Sequence, residues 1–119
     1  MKLGPYDLDS IVTGDARELA AALPDGCAAL AFADPPYWVG FKYSNGVTDA
    51  DMEYIDPAWL AAELQRVGKV AMITPSIGHM YRYPAPRWVV AWYKPAAMGR
   101  NGAGGRTIGS LFWFTARHR

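Results

Sequence analysis

Residues 27–37 read CAALAFADPPY, and this stretch decides how the chain folds. Its first seven residues are apolar without polar alternation, which is typical of a strand covered on both faces of a sheet. The strand runs directly into Asp34-Pro35-Pro36-Tyr37, where the prolines end regular structure. In open parallel sheets, ligands bind beyond the carboxyl ends of the strands. We therefore expect Asp34 and Tyr37 to lie at the functional edge of the protein.

A strand and a helix are predicted just before this stretch. Residues 10–13 are rich in β-branched side chains and predict a short strand. Asp15 is placed as the N-cap of a helix over residues 16–23, with Glu18 at the spacing of a capping box. Strand, helix and strand in close succession predict a parallel pair with a right-handed crossover, which puts Asp15 and Asp34 at the same edge.

The remaining elements alternate between helix and strand. Asp56 and Pro57 open a second helix, which Gly68 closes. Three more strands are predicted over residues 69–74, 87–93 and 108–115, and long loops over residues 38–55 and 96–106. The alternation indicates an α/β fold with an open sheet, in a single domain over residues 1–119.

The charges are divided unevenly along the chain. Residues 1–56 carry three bases and ten acids, a net charge of −7, whereas residues 57–119 carry nine bases and one acid, a net charge of +8. A basic half indicates a polyanionic partner such as nucleic acid. Two simpler arrangements would also account for this division: the halves neutralise each other within one fold, or the basic surface faces an acidic subunit.

Several classes of protein are excluded by composition. The single cysteine rules out an internal disulfide and a multi-thiolate metal site, and neither histidine has a spaced partner, so no metal site is predicted. No apolar run approaches the roughly 20 residues that span a bilayer, and no signal peptide is visible. We expect a cytoplasmic protein with no membrane segment.

Several segments of the sequence together resemble a known family. Gly14-Asp15, a short helix, the turn at residues 23–26, an apolar strand and Asp34-Pro35-Pro36-Tyr37 resemble the opening of the DNA amino-methyltransferases. Residues 88–95, WVVAWYKP, are similar to a strand ending in Trp-x-Lys-Pro later in that family. The resemblance implies the catalytic half of a methyltransferase, with a partial Rossmann-like sheet of mostly parallel strands flanked by helices.

The resemblance also implies an activity. These enzymes transfer a methyl group from S-adenosylmethionine to the exocyclic amine of a base. An Asp at the first motif position resembles the adenine-N6 enzymes more than the cytosine-N4 enzymes, which more often carry Ser there. Asp34 and the carbonyl of Pro35 would accept both N–H bonds of the amine, with Pro36 fixing the angle, and Tyr37 would stack on a base flipped out of the duplex. Asp15, together with Asp34, would contact the cofactor.

Further residues are candidates for binding DNA. Aromatic side chains would extend the stacking wall, and basic side chains would contact phosphates: Trp38, Phe41, Tyr43, Arg82, Arg87, Lys94, Arg100 and Arg106. Each role has a simpler alternative. In these alternatives, the aromatic residues fold onto the core and Lys94 is a solvated charge at a strand end. Asp15 is then only an N-cap, and the two prolines only end a strand in a rigid turn.

One family feature is missing from the sequence. The glycine-rich cofactor loop, Phe-x-Gly-x-Gly, has no match, and the nearest candidate is Arg100-Asn101-Gly102-Ala103-Gly104. We interpret those residues as a loop that approaches phosphate. The chain is then a truncated enzyme, a non-catalytic nucleic-acid-binding remnant or regulatory module, or a half that completes its site by self-association. A further alternative is methylation of RNA or of a protein amide. Because a free half-sheet exposes an edge and an apolar face, we predict a homo-oligomer.

Overall fold

A computed structural model describes residues 1–52, 54–76, 78–93 and 109–116. Its strands are β1 (Lys2–Leu3), β2 (Tyr6–Asp7), β3 (Ala28–Ala33), β4 (Gly68–Ile73), β5 (Trp88–Tyr93) and β6 (Gly109–Ala116). Its α-helices are α1 (Ala16–Ala21) and α2 (Pro57–Val67), and single 3-10 turns span Asp49–Asp51 and Met80–Arg82. None of the helices in these ranges is long and apolar enough to cross a membrane.

The four longer strands form one sheet in the order β3-β4-β6-β5. Strands β3 and β4 are parallel, with Ala33 opposite Ile73, and β6 is antiparallel to both of its neighbours. The sheet and its packed helix agree with the predicted α/β class. The prediction of mostly parallel strands is wrong for these pairs, because β6 is inserted between β4 and β5 in the opposite direction to both.

The predicted strand over residues 10–13 is absent. These residues lie in irregular backbone, and Ile11 and Val12 are exposed. The preference of β-branched residues for strands reflects packing on a pleated surface, and no neighbouring strand provides one here. The chain instead begins with a small antiparallel pair, β1 and β2, and the predicted crossover between residues 10–13 and β3 does not exist.

The helix boundaries follow the capping residues. Asp56 accepts a hydrogen bond from the Trp59 amide at 2.9 Å, and Pro57 occupies the first turn of α2, so the predicted start is confirmed. The helix ends at Val67, and Gly68 is both its C-cap and the first residue of β4. No loop separates the two elements.

Gly68 is required by a close approach between two strands. A Cβ at this position would lie 2.5 Å from the Val70 oxygen and 2.7 Å from the Cβ of Ala31. Both distances are shorter than real Cβ contacts allow. The direct passage from α2 into β4 therefore depends on a residue without a side chain.

At β3 and β4, one face of the sheet is covered and the opposite face is more open. Helix α2 packs on the first face, where the core consists of Leu60, Ala61, Ala71, Ile73 and Tyr83. Phe32 and Met72 lie on the opposite face, and the backbone register continues their row through position 114 of β6 to Trp88. Leu30, Phe32, Trp88, Val90 and Trp92 are about half exposed. The prediction that β3 is covered on both faces is therefore wrong, because α2 packs on one face and Leu30 and Phe32 on the other face are about half exposed.

Arg66 joins α2 to the end of α1. Its guanidinium donates to the carbonyl oxygens of Ala20 and Leu23 at 2.8 Å and forms ion pairs with Glu63 and Asp25. The hydrogen bonds to Glu63, followed by those to Asp25, hold the pKa of Arg66 above its ordinary value. A single charged side chain thus binds two carbonyl oxygens in the turn where α1 ends, and the Ala20 oxygen also accepts a hydrogen bond from the Leu23 amide.

Candidate active site

The predicted edge of the sheet brings Asp34 and Thr74 together. Strands β3 and β4 are parallel and end side by side, and Asp34 and Thr74 are the next residues. The Thr74 amide donates to the Ala33 carbonyl at 3.1 Å, which continues the strand ladder past the last paired residues. Thr74 is only 5% exposed, so its hydroxyl has a fixed position beside the Asp34 carboxylate.

Two hydroxyl groups converge on one oxygen of Asp34. Thr74 Oγ1 donates a short hydrogen bond to Oδ1, and Tyr37 donates to the same atom at 3.2 Å. No described residue donates to Oδ2. Asp34 itself is exposed. The carboxylate is therefore oriented by its protein partners through Oδ1, and Oδ2 is the acceptor available to a ligand.

Tyr37 remains a hydrogen-bond donor over a wide pH range. Partial burial raises the pKa of its phenol, and the neighbouring Asp34 charge raises it further. Its hydroxyl therefore stays protonated further into the alkaline range than that of an ordinary tyrosine. The two prolines between Asp34 and Tyr37 restrict the backbone, and Pro35 is buried. No described group donates to the Pro35 carbonyl, which is the second acceptor at this corner.

Trp38 packs inward beneath the corner. Its backbone is left-handed, with φ of 49°, and its ring lies 4.9 Å from Tyr54 and 6.1 Å from His79, centroid to centroid. Its buried Nε1 has no hydrogen-bond acceptor among the described residues. Because Tyr54 and His79 contact the Trp38 ring, this side chain fits the alternative of an aromatic residue folded onto the core better than a stacking wall.

Other aromatic and polar groups support the same edge. His79 Nδ1 lies 2.8 Å from Ser76 Oγ in the turn after β4. Tyr83 is buried in the core, and burial, with smaller effects of Tyr54 and Tyr37, raises its pKa to about 12. The phenols of Tyr37 and Tyr54 are thus near enough to Tyr83 to affect it, and Tyr37 also donates a hydrogen bond to Asp34.

The remaining residues that were predicted to contact DNA fall into three groups. Phe41 and Tyr43 are exposed and pack edge to face with their rings 5.2 Å apart. Arg82 ends the 3-10 turn after β4 and Arg87 directly precedes β5, and both are exposed. Lys94, Arg100 and Arg106 lie outside the described residues. Their roles stay predictions.

Asp15 is confirmed as the N-cap of α1. Its carboxylate accepts a hydrogen bond from the Arg17 amide at 2.8 Å and lies 2.7 Å from Arg17 Nη2. The hydrogen bonds from the Arg17 side chain and amide lower the pKa of Asp15 to about 2. Because residues 10–13 form no strand, Asp15 does not follow a strand parallel to β3, and strand order no longer places it at the same edge as Asp34. A role toward a cofactor stays a prediction.

Two residues of the site were not found by sequence reasoning. Thr74 begins the turn after β4, and its position as the last residue of the strand predicted over residues 69–74 was the available signal. Asp49 is 1% exposed and accepts hydrogen bonds from the amides of Val39 and Phe41. No motif marks Asp49, because its partners are backbone groups. Among the described residues, no three His, Cys, Asp or Glu side chains cluster as metal ligands.

The fold and the site together define an α/β protein whose acidic corner lies at the carboxyl edge of a parallel strand pair. No protein-family profile matches the chain. The chain is 30% identical, over an alignment of 92 positions that covers 73% of the chain, to the Type II methyltransferase M.BamHI of Bacillus amyloliquefaciens. It spans about a fifth of the length of that protein, 21%. The chain is thus related in sequence to a methyltransferase.

Proposed function

We propose that this chain supplies the acceptor side of an S-adenosylmethionine-dependent DNA methyltransferase, which holds the exocyclic amine of a base, adenine N6, for methylation. The observation that carries the proposal is the Asp34 carboxylate. Its Oδ1 accepts hydrogen bonds from Thr74 and Tyr37, no described residue donates to its Oδ2, and Asp34 is exposed. The related methyltransferase supports the reaction class.

The chemistry follows from the poor nucleophilicity of such an amine. Its lone pair is delocalised into the ring, so the nitrogen must move toward tetrahedral geometry before it can attack. Oδ2 of Asp34 accepts one N–H and the Pro35 carbonyl accepts the other, which favours that geometry. On transfer the nitrogen would form one new bond to the methyl carbon while the bond between that carbon and its sulfur breaks, and the nitrogen would then lose one proton. The Asp34 carboxylate, already bonded to that N–H, is the nearest base for it.

S-adenosylmethionine would supply an electrophilic sulfonium methyl group. The described residues do not build a site for it. The turns after β3 and β4 begin with Asp34-Pro35-Pro36 and Thr74-Pro75, and neither is a glycine-rich cradle leading into an α-helix. The Asp15 carboxylate is engaged by Arg17. We therefore propose the cofactor on chemical grounds and derive no step through it.

A second function is favoured because the described residues do not build a site for S-adenosylmethionine. A non-catalytic nucleic-acid-binding or regulatory module requires the basic half of the chain but not a cofactor cradle. The net charge of +8 over residues 57–119 and the exposure of Arg82 and Arg87 support DNA as the partner in either case. The two functions differ in the consequence of removing Asp34, which matters only for transfer.

The test is a transfer assay with the full chain. Unmethylated genomic DNA and S-adenosylmethionine with a labelled methyl group are incubated with the protein, and the digested nucleosides are separated. We expect N6-methyladenine, with loss of transfer in Asp34→Asn. Asp9→Asn is the matched control, since Asp9 is exposed and its φ of 56° suits Asn.

Three further outcomes are informative. Label in N4-methylcytosine would keep the reaction and change the base. DNA binding that weakens with salt and is indifferent to Asp34→Asn, without any transfer, would favour the non-catalytic module. No transfer and no cofactor binding by calorimetry would overturn the enzymatic proposal.

A further inference from the structure

Residues 39–49, here called the finger, form a short hairpin directly after the acidic corner. Lys42 bridges Thr48 in antiparallel fashion, and the Tyr43 amide donates to the Val47 carbonyl at 2.8 Å. Gly46 closes the turn with φ of 86°, a conformation that glycine adopts at little cost. The two arms near the tip are thus held by main-chain hydrogen bonds.

Asp49 holds the base of the finger. Its Oδ1 accepts from the Phe41 amide at 2.7 Å and its Oδ2 accepts from the Val39 amide at 3.0 Å. Its own amide donates to the Phe41 carbonyl at 3.0 Å. A carboxylate that is 1% exposed is costly unless it is hydrogen-bonded, so these bonds favour one conformation of the finger. The finger has this shape before any partner binds.

The finger presents apolar side chains to the outside. Phe41 is 60% exposed, and Tyr43, Val39 and Val47 are exposed as well. Lys42, between the two aromatic residues, is exposed and adds a positive charge. A cluster of exposed apolar groups on an ordered loop marks an interaction site, and the lysine suits a polyanion.

We propose that the finger enters the DNA base stack and that Phe41 occupies the space left by the flipped base; this rests on the proposed function. An enzyme that acts on a base must take it out of the stack, and apolar wedges enter base steps in other DNA-binding proteins. Tyr37, at the corner that would hold the extruded base, precedes Phe41 by only four residues. Asp49 is a positioning residue, which sets Phe41 without touching the DNA.

The test uses two 20-base-pair duplexes, one intact and one with a single abasic gap, because the gap offers Phe41 its space without any flipping. We expect the full chain to bind the gapped duplex at least about tenfold more tightly, the equivalent of one stacking contact. Phe41→Ala should remove this preference. Tyr81→Ala should keep it, since Tyr81 is 86% exposed but lies outside the finger. Equal binding of both duplexes by the wild type, or an undiminished preference in Phe41→Ala, would overturn the proposal.

The role of Asp49 has its own readout. In Asp49→Asn we expect faster hydrogen exchange at the Val39 and Phe41 amides and loss of the gap preference, with exchange at Ala71 and Ile73 in the core unchanged. Uniformly faster exchange, or a retained preference, would contradict a positioning role. Asp34→Asn separates the two proposals: it should abolish methyl transfer and leave the gap preference intact. A preference that depends on Phe41 without methyl transfer would refute only the enzymatic function.

Discussion

The hydroxyl of Thr74 donates a short hydrogen bond to Oδ1 of Asp34, so the first residue after β4 holds the first residue after β3. Tyr37 donates to the same oxygen. The geometry leaves Oδ2 for a ligand and fixes its direction. A carboxylate that is exposed yet oriented by a buried hydroxyl is prepared for binding without conformational search.

Thr74→Val tests this orientation directly. The substitution preserves the shape of the buried side chain and removes the donor, so the Asp34 carboxylate loses a hydrogen bond to a charged group. Such bonds contribute about 1.5–3 kcal/mol, and we expect methyl transfer to fall roughly 10- to 100-fold. Thr74→Ser retains the hydroxyl and should retain most of the rate. Initial rates, corrected for the folded fraction by circular dichroism, are the measurement; a full rate in Thr74→Val would contradict the role.

Tyr83 predicts how stability depends on alkaline pH. Its pKa is about 12 in the folded chain and about 10 in the unfolded chain, so above pH 10 the folded state retains a proton that the unfolded state loses. The free energy of unfolding should therefore decrease between pH 10 and 12, by about 2 kcal/mol from this residue. Urea unfolding at several pH values measures the slope. Tyr83→Phe, which cannot titrate, should have a smaller slope; identical slopes would refute the assignment.

Gly68→Ala should destabilise the fold. The added methyl group would overlap the Val70 oxygen and both the amide and the Cβ of Ala31, and the backbone atoms cannot move aside independently. Overpacking of this kind costs about 1–3 kcal/mol. Gly78→Ala is the matched control, since nothing lies within 4 Å of its added Cβ. The urea midpoints of the two variants should differ clearly, and equal midpoints would show that β3 and β4 separate easily.

The open face of the sheet predicts self-association. Leu30, Trp88 and Val90 are about half exposed there, and β3 is the outermost strand at one end of the described sheet. We expect sedimentation at micromolar concentration to show a dimer or larger particle, and Val90→Lys to shift it to the monomer. Val12→Lys is the control, because Val12 is similarly exposed but lies outside the sheet. A monomeric wild-type particle would contradict this prediction.

Local signals in the sequence predicted the parts of the fold that depend on neighbouring residues. The passage from β3 into Asp34 and the start of α2 at Asp56 each rest on a few adjacent side chains, and both are confirmed. The strand predicted over residues 10–13 is absent because a strand needs a neighbouring strand, which the propensities of its own residues do not indicate. The prediction of mostly parallel strands was wrong for a similar reason, since the pairing of β6 with β4 and β5 is a non-local property.

The residues of the candidate site also divide into those that a local motif predicted and those that depend on distant segments. Asp34 and Tyr37 were predicted from a motif, whereas Thr74 lies forty residues from Asp34 and meets it only because two strands pair. Asp49 bonds to backbone amides, which any sequence provides, so no residue pattern could indicate it. The inward packing of Trp38 likewise depends on Tyr54 and His79, which approach from other segments.

The direct junction of α2 and β4 has a consequence for how this protein tolerates length changes. Gly68 pairs with Ala28, and the parallel register then delivers Thr74 beside Asp34 six residues later. A single-residue insertion or deletion near Val67 would present Ile73 or Pro75 instead, and neither side chain has a hydroxyl to donate. With no loop to absorb the change, the spacing between Val67 and Thr74 must be kept even where the residue types within it vary.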